Sequence, residues 1–148
     1  MLPKTHLVLT LIFSAILIFF ELINPFQALI IIAAGFFIDV DHWFIYVINK
    51  KDLNVRRAFN WFYKAYLKQC REGIINKRKR LYVFHTIESF IVIILLSFLN
   101  PFFIYVLIGA LFHLFLDTIH SIYRGFYLKK ISLIYFLIKG GKNGWRNL

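Results

Sequence analysis

Long apolar stretches that contain no basic side chain constrain this chain more than any other feature. None of its 18 Lys and Arg residues falls between Thr5 and Asn49 or between Leu81 and Tyr123. A membrane-spanning helix needs about 20 mostly apolar residues, so each of these two regions has room for two such helices. The 148-residue chain is 60% hydrophobic, and it is predicted to form a single membrane-embedded domain over residues 1–148.

The expected fold class is all-α, a polytopic membrane helical bundle. Four spans are predicted at about residues 6–22, 26–48, 82–99 and 102–123, with Asn24-Pro25 and Asn100-Pro101 as the tight turns within each pair. Each turn proline precedes an aspartate by 16 residues (25 to 41 and 101 to 117), which predicts two hairpins in a parallel repeat. The start of the chain lacks a small-residue cleavage site and is interpreted as a retained first span.

The basic residues indicate how the bundle is oriented. Eleven of them lie from Lys50 to Arg80, one precedes the first span and six follow the last, so all fall on one side of an even number of spans. The positive-inside rule then predicts a multi-pass protein of the cell (inner) membrane with both termini in the cytoplasm. A nucleic-acid-binding patch would explain the net charge of +11 but not its placement, so no nucleic acid partner is expected. The oligomeric state stays open.

Two shorter helices are predicted outside the spans. Residues 53–71 carry aromatic side chains at helical spacing and cations elsewhere on the wheel, which is typical of a helix in the inner interface with membrane lipids as partners. A solvated helix packed on the bundle is the alternative. Asp52 or Asn54 is expected to cap this helix. Residues 127–138 are too short to span and are predicted to form an interfacial or docked helix.

Polar residues of the metal-binding type recur at one depth of all four spans. If the Asn-Pro turns mark the outer surface, a rise of about 1.5 Å per residue places them roughly 18–28 Å below it, in the inner leaflet. Charged and imidazole groups within a span are costly and indicate a functional site. The set consists of His6, Asp39, Asp41, His42, His85, Glu88, His113 and Asp117, with His120 just beyond.

The spacing within this set favours one or two divalent metal ions, most simply zinc or manganese. An imidazole and a carboxylate one helical turn apart, as at His113 and Asp117, chelate a metal well from one face. His85 and Glu88 are expected to share a face of the third span, with Glu88 as a ligand or a general base. Asp39 and Asp41 are not expected to face the same way, so one is expected to be a ligand and the other an orienting partner or a helix-terminal group. The first-choice ligands are Asp41, His85, His113 and Asp117, with Glu88 or Asp39 as the catalytic base.

In order and spacing, these residues resemble the motifs of the YdjM-like membrane-bound metal-dependent hydrolases. The matching segments run from Thr5 to His6, from Gly35 to His42, from Phe84 to Glu88 and from Gly109 to Thr118. The resemblance implies a metal site at His6, Asp39, Asp41, His42, His85, His113 and Asp117. Ile38 stands where that family has a proline. In the third motif, His85 matches either the first histidine of the family pattern or the second, with Arg80 then in place of the first.

The leading functional hypothesis is a metal-dependent hydrolase with its site at the cytoplasmic face. Its substrate would be a lipid or another phosphoester, and Arg80 and Arg124 would hold the phosphate. A metal-ion transporter is an alternative, because intramembrane carboxylates and a repeat would suit it. Against transport, the outer halves of the spans carry almost no polar residue besides Glu21. The third hypothesis is a non-enzymatic membrane module whose helices are held together by a metal ion or by ion pairs.

Overall fold

The computed structural model describes residues 3–72 and 82–123, with side chains except at 69–72. Within these ranges the chain is all-helical and has no strand, which confirms the all-α fold class. The helices are α1 (Pro3–Phe19), α2 (Pro25–Phe37), α3 (Val40–Lys50), α4 (Val55–Glu72), α5 (Ile87–Leu99) and α6 (Phe102–Tyr123), and one 3₁₀ turn, Val83–His85, precedes α5. The helix predicted at 127–138 lies outside the described residues, as do Arg80 and Arg124.

Two helical segments are long and apolar enough to cross a membrane. One is Pro25–Lys50, made of α2 and α3, and the other is Phe102–Tyr123. The apolar helices α1 and α5 are shorter, at 17 and 13 residues. The remaining two spans and the hairpin repeat stay predictions.

Both asparagine-proline pairs start helices. Asn24 caps α2: its Oδ1 accepts a hydrogen bond from the Gln27 N–H at 2.9 Å, and Gln27 Oε1 accepts one from the Asn24 N–H at 2.8 Å. At the start of α6, Asn100 Oδ1 accepts a hydrogen bond from the Phe102 N–H at 2.9 Å. The proline after each asparagine costs the helix no hydrogen bond, because the first N–H groups of a helix have no intrahelical acceptor.

The second predicted span is not one continuous helix. The His42 N–H donates to the carbonyl of Asp39, three residues back, at 3.0 Å, and this tight turn separates α2 from α3. The turn brings the carboxylates of Asp39 and Asp41 to the same side of the segment. Both approach the ring of His85, at 3.7 Å and 3.0 Å. The expectation that these two carboxylates face different ways was therefore wrong, because it assumed a regular helix.

The third predicted span also starts later than expected. His85 ends the 3₁₀ turn, and the extended backbone of Thr86 (φ −97°, ψ 153°) separates it from α5. The hydroxyls of Thr86 and Ser89 both donate to the Val83 carbonyl, at 2.8 Å and 2.6 Å, and hold the turn against the helix start. His85 and Glu88 therefore do not share the face of one helix, contrary to the expectation from their spacing.

The amphipathic helix α4 docks beside the end of α3. Asn54 rather than Asp52 caps it, because Asn54 Oδ1 accepts a hydrogen bond from the Arg57 N–H at 3.0 Å. Asp52 instead accepts hydrogen bonds from the Tyr46 hydroxyl at 2.7 Å and from the Asn54 N–H at 3.0 Å, which lower the pKa of its carboxyl below the usual value. Trp61 of α4 packs against the Tyr46 ring with centroids 5.8 Å apart. These contacts fix α4 at the end of the bundle where α3 terminates.

The helix α6 packs against α1, α2 and α5, and its closest approach is to α2 at a pair of glycines. A Cβ placed on Gly109 would lie 2.4 Å from the carbonyl oxygen of Ile31 and 3.1 Å from the nitrogen of Gly35. A Cβ on Gly35 would in turn meet the side chain of Thr10 in α1 at 3.1 Å. Glycines at these positions let three helix backbones approach one another closely.

Candidate metal centre

Ionisable side chains from α1, the α2–α3 junction, the 3₁₀ turn and α6 converge in one cluster. Four of its members have exposures of 6% or less: His6, Asp41, His85 and His113. A buried polar group loses its hydration, so each of these side chains needs a hydrogen-bond partner or a bound ion to compensate.

The tautomer of His113 is set by the backbone. Its Nδ1 lies 2.7 Å from the carbonyl oxygen of Gly35, which can only accept, so Nδ1 carries the proton and donates. In the neutral imidazole, Nε2 then carries the lone pair; this atom is buried without a hydrogen-bond partner, 3.5 Å from Asp39 Oδ1. Donation from Nδ1 to a carbonyl is how a metal-binding histidine is commonly oriented with Nε2 toward the ion.

His85 repeats this arrangement with a carboxylate in place of the carbonyl. Its Nδ1 lies 3.0 Å from Asp41 Oδ2, and its buried Nε2 has no hydrogen-bond partner. Asp41 also accepts a hydrogen bond from the Phe84 N–H at 3.3 Å and lies 2.8 Å from His42 Nδ1. Both oxygens of Asp41 are thus engaged by neighbouring groups. This geometry favours Asp41 as the orienting partner and Asp39 as the ligand. The sequence-based first choice was the reverse, with Asp41 as a ligand and Asp39 as a candidate base, and Asp41 belongs to neither group of described residues that could hold an ion.

The separations around Asp39 match those of ligands on a shared ion. Tetrahedral ligands at about 2.0–2.1 Å from zinc lie roughly 3.3–3.4 Å from one another. Asp39 Oδ1 lies 3.5 Å from His113 Nε2 and 3.7 Å from His85 Nε2. These distances are too long for good hydrogen bonds but close to the spacing of two ligands on one metal. Asp39 Oδ1 lies 3.4 Å from His42 Nδ1 as well, so three imidazole nitrogens surround this oxygen, and the two Nε2 atoms among them are buried without a hydrogen-bond partner.

His6 and Asp117 complete the cluster on the side of α1. His6 Nε2 lies 3.2 Å from Asp117 Oδ1, and the His6 ring stacks on that of His113 with centroids 3.9 Å apart and planes at 13°. His6 Nδ1 is buried and has no hydrogen-bond partner. The stacking brings the first residues of α1 against the middle of α6.

Two overlapping groups within residues 3–72 and 82–123 could hold a metal ion. In each group the ligand atoms lie within 4.8 Å of one another; the groups are His6, Asp39 and His113, and His85, His113 and Asp117. A buried nitrogen without a partner costs about 1–3 kcal/mol of stability, and an ion that accepts its lone pair would remove that cost. None of the 18 Lys and Arg residues lies in the two apolar regions of the sequence that supply these ligands.

The other predicted site residues belong to neither group. The ring of His42 stacks on that of Tyr82 with centroids 4.2 Å apart. His120 Nε2 lies 3.4 Å from the hydroxyl of Tyr66 in α4. Glu88 lines an apolar groove beside the cluster. The predicted phosphate contacts fall outside the part of the chain that the structure describes; they are Arg80 and Arg124.

The sequence had not revealed the role of the Gly35 carbonyl in orienting His113. It had also not revealed that Thr10, which is fully buried, packs against Gly35. Gly35 precedes Asp39, and Gly109 precedes His113, by four residues (39 − 35 and 113 − 109). In both segments a glycine therefore lies about one helical turn before a ligand. This spacing is the sequence signal that could have shown the close packing of α2 and α6.

No protein-family model matches this chain, and no curated protein or solved structure is significantly similar to it. The functional assignment therefore rests on the geometry of the cluster and on the pattern of the sequence.

Proposed function

We propose that this chain is a divalent-metal-dependent hydrolase of the cell membrane, related to the YdjM-like hydrolases, that cleaves a phosphoester at the cytoplasmic face. One observation carries the proposal. Three buried imidazole nitrogens, on His6, His85 and His113, have no hydrogen-bond partner and lie among carboxylates. A cluster that only stabilised the fold would satisfy these nitrogens with hydrogen bonds, whereas a metal site keeps lone pairs for the ion.

The proposed ligands come from both three-residue groups: Asp39, His85, His113, His6 and Asp117. His113 belongs to both groups, and its Nδ1 is engaged by the backbone, so only Nε2 is available to an ion. We therefore propose a single ion rather than two. Nitrogen and oxygen donors without a thiolate suit zinc or manganese.

In the proposed membrane arrangement, α1, the α2–α3 segment, α5 and α6 are four spans. Large apolar side chains point outward along both shorter helices, with exposures of 53% and 52% at Val8 and Ile12 and of 60% and 82% at Leu95 and Phe98. Such surfaces are unfavourable in water but match the polarity of lipid tails. The one-sided basic residues then place the metal cluster near the cytoplasm.

The contacts of α6 with α2 support the proposal of two hairpins in parallel. Ile31 meets Gly109, and four residues further along both helices Gly35 meets His113. Since both residue numbers rise together, the two helices run in the same direction. Each is preceded by an asparagine of an Asn-Pro pair. Asp39 lies 14 residues after Pro25, and His113 and Asp117 lie 12 and 16 residues after Pro101, so both segments carry their ligands at a similar distance from their starts.

In the proposed reaction, a water oxygen bonds to the phosphorus of the ester, the bond from phosphorus to the leaving oxygen breaks, and a proton ends on that oxygen. A bound divalent metal would polarise the phosphoryl group and lower the pKa of the attacking water. Glu88 is the proposed general base, because it lines the groove beside the cluster and is not among the proposed ligands. Asp41 and the Gly35 carbonyl keep the two histidine rings in place. Arg80 and Arg124 remain the proposed phosphate contacts.

A hydrolysis assay on the metal-loaded protein in detergent tests this function. We expect release of phosphate from lysophosphatidic acid, loss of this activity with a chelator, and recovery with zinc or manganese. Glu88→Gln should lower kcat by about 10²–10⁴-fold. Glu21→Gln, a matched change between α1 and α2, should leave kcat unchanged. Absence of metal-dependent turnover of lipid and soluble phosphoesters alike by the loaded protein would refute the proposal.

A line of buried polar residues in α1 favours transport as a second candidate. His6, Thr10 and Ser14 recur every four residues, and each has an exposure of 1% or less. Eight residues of helix rise about 12 Å, so the line reaches from the cluster toward the middle of a bilayer. Beyond Ser14 the sequence is apolar up to Glu21, which leaves the outer half without a lined path. Zinc uptake into proteoliposomes that Ser14→Ala reduces would favour transport over hydrolysis.

A further inference from the structure

An apolar groove lies beside the metal cluster, between α2 and α5 and over α6. Its volume is about 480 Å³. Its walls come from all three helices and include Ala34, Phe37, Val92, Ile93, Val106 and Ala110. Glu88 and Ser89, on the first turn of α5, are the lining residues with polar side chains. The groove is thus apolar along its length and polar at the end of α5 where the cluster lies.

That end of the groove is lined by residues that adjoin proposed metal ligands in the sequence. Ile38 and Phe84 both line the groove, and each is followed directly by a proposed ligand, Asp39 and His85. A molecule in the groove would have one end at the positions that directly precede Asp39 and His85 in the chain.

The groove opens sideways, toward the surroundings of the bundle. Two lining residues on opposite walls, Phe37 and Val92, are 60% and 54% exposed. In the proposed membrane arrangement these side chains face lipid tails, so hydrocarbon rather than water has access to the groove. An empty apolar space of this size would forfeit dispersion contacts along its walls. Its volume also falls in the range of about 300–1,000 Å³ that is usual for ligand sites.

We propose that this groove binds one hydrocarbon chain of the lipid substrate, with the polar end of that lipid at Glu88 and the metal cluster. The substrate class is then a long-chain lipid phosphoester that enters sideways from the inner leaflet. This assignment rests on the proposed function for the reaction itself. Binding of the chain does not require turnover, so the groove and the reaction can be tested separately.

Photolabelling in vesicles tests the chain site directly. The vesicles contain phosphatidylethanolamine and phosphatidylglycerol, with a trace of phosphatidylglycerol that carries a diazirine on one acyl chain. We expect the label to concentrate on Val92 and to be several-fold weaker on Ile91, which is 50% exposed but does not line the groove. Equal labelling of the two residues would overturn the proposal. Weaker labelling of Val92 than of Ile91 would also overturn it, because it would mean that a protein segment or a second copy of the chain fills the groove.

Two matched variants extend the test to the substrate. Val92→Trp is designed to fill the groove from its open side. Ile91→Trp adds the same ring at the neighbouring position, which is similarly exposed. We expect Val92→Trp to lose the groove label and to keep its zinc content. It should lower kcat/KM for lysophosphatidic acid by about tenfold to a hundredfold, since a misplaced reacting group can cost about 10²-fold. It should lower kcat/KM for the soluble ester 4-nitrophenyl phosphate less.

Ile91→Trp should behave as the wild type does in labelling, in zinc content and in kcat/KM for both esters. Equal effects of the two tryptophan variants on labelling would contradict the groove assignment. If the wild type hydrolyses neither ester while Val92 is still labelled selectively, the proposed function fails and the chain site stands.

Discussion

Replacing His113 by alanine is expected to remove the bound metal almost completely. Nε2 of this residue is the nitrogen shared by both candidate ligand groups, and it is buried with no hydrogen-bond partner. The Gly35 carbonyl holds the ring from the other side, so this nitrogen is oriented toward the cluster. We expect the affinity for zinc to fall by more than about 100-fold, which exceeds the usual effect of changing an orienting partner.

Two further variants show whether the loss of zinc affinity is specific to a ligand of the cluster. Asp41→Asn keeps an oxygen acceptor for His85 but removes the charge, so the affinity for zinc should fall by about 10–100-fold. His120→Ala, on the same helix as His113 but outside both groups, should leave the affinity unchanged. Competition with a chromogenic chelator, on protein purified without a polyhistidine tag, gives all three values. Equal affinities for His113→Ala and His120→Ala would show that the cluster is not the metal site.

Gly109→Ala is expected to destabilise the whole bundle and to weaken metal binding at the same time. The added methyl would lie 2.4 Å from the Ile31 carbonyl oxygen, and a backbone atom cannot rotate away. The two helices must then separate, and overpacking of this kind typically costs about 1–3 kcal/mol of unfolding free energy. Separation of α2 from α6 also lengthens the hydrogen bond from His113 to the Gly35 carbonyl, so the ligand loses its orientation.

Thermal unfolding in detergent, followed by circular dichroism, measures the effect of Gly109→Ala. Gly35→Ala is the matched comparison, because its added methyl meets the side chain of Thr10 at 3.1 Å and a backbone atom, the Gly109 carbonyl oxygen, only at 3.4 Å, which is ordinary contact. Gly35→Ala should therefore destabilise less, and the double variant with Thr10→Ala should recover part of the loss. A melting temperature of Gly109→Ala equal to that of the wild type would mean that the two backbones are not in close contact.

Much of the architecture could be predicted because it depends on local sequence. Asn24 and Asn100 were expected at turns, and the structure places each at the start of an apolar helix. The pair His113 and Asp117 follows from helical periodicity alone, and the buried His6 follows from its depth. These features need only the spacing of residues along one helix.

The parts that were missed depend on departures from regular helix and on contacts between distant residues. The tight turn at Asp39 and the extended backbone at Thr86 interrupt two apolar stretches without any change in composition. The division of roles between Asp39 and Asp41 is set by His85, more than forty positions away in the sequence. Periodicity within one segment carries no information about such a partner.

The most direct test of the account is the metal content and coordination of the wild-type protein, purified without a polyhistidine tag and exposed to zinc or manganese. The account predicts one ion per chain, with nitrogen and oxygen ligands at about 2.0–2.2 Å in X-ray absorption spectra and no sulfur. A chelator should then lower the melting temperature, because the three imidazole nitrogens lose their partner. A protein that takes up no ion, and whose melting temperature is the same with and without chelator, would contradict the account.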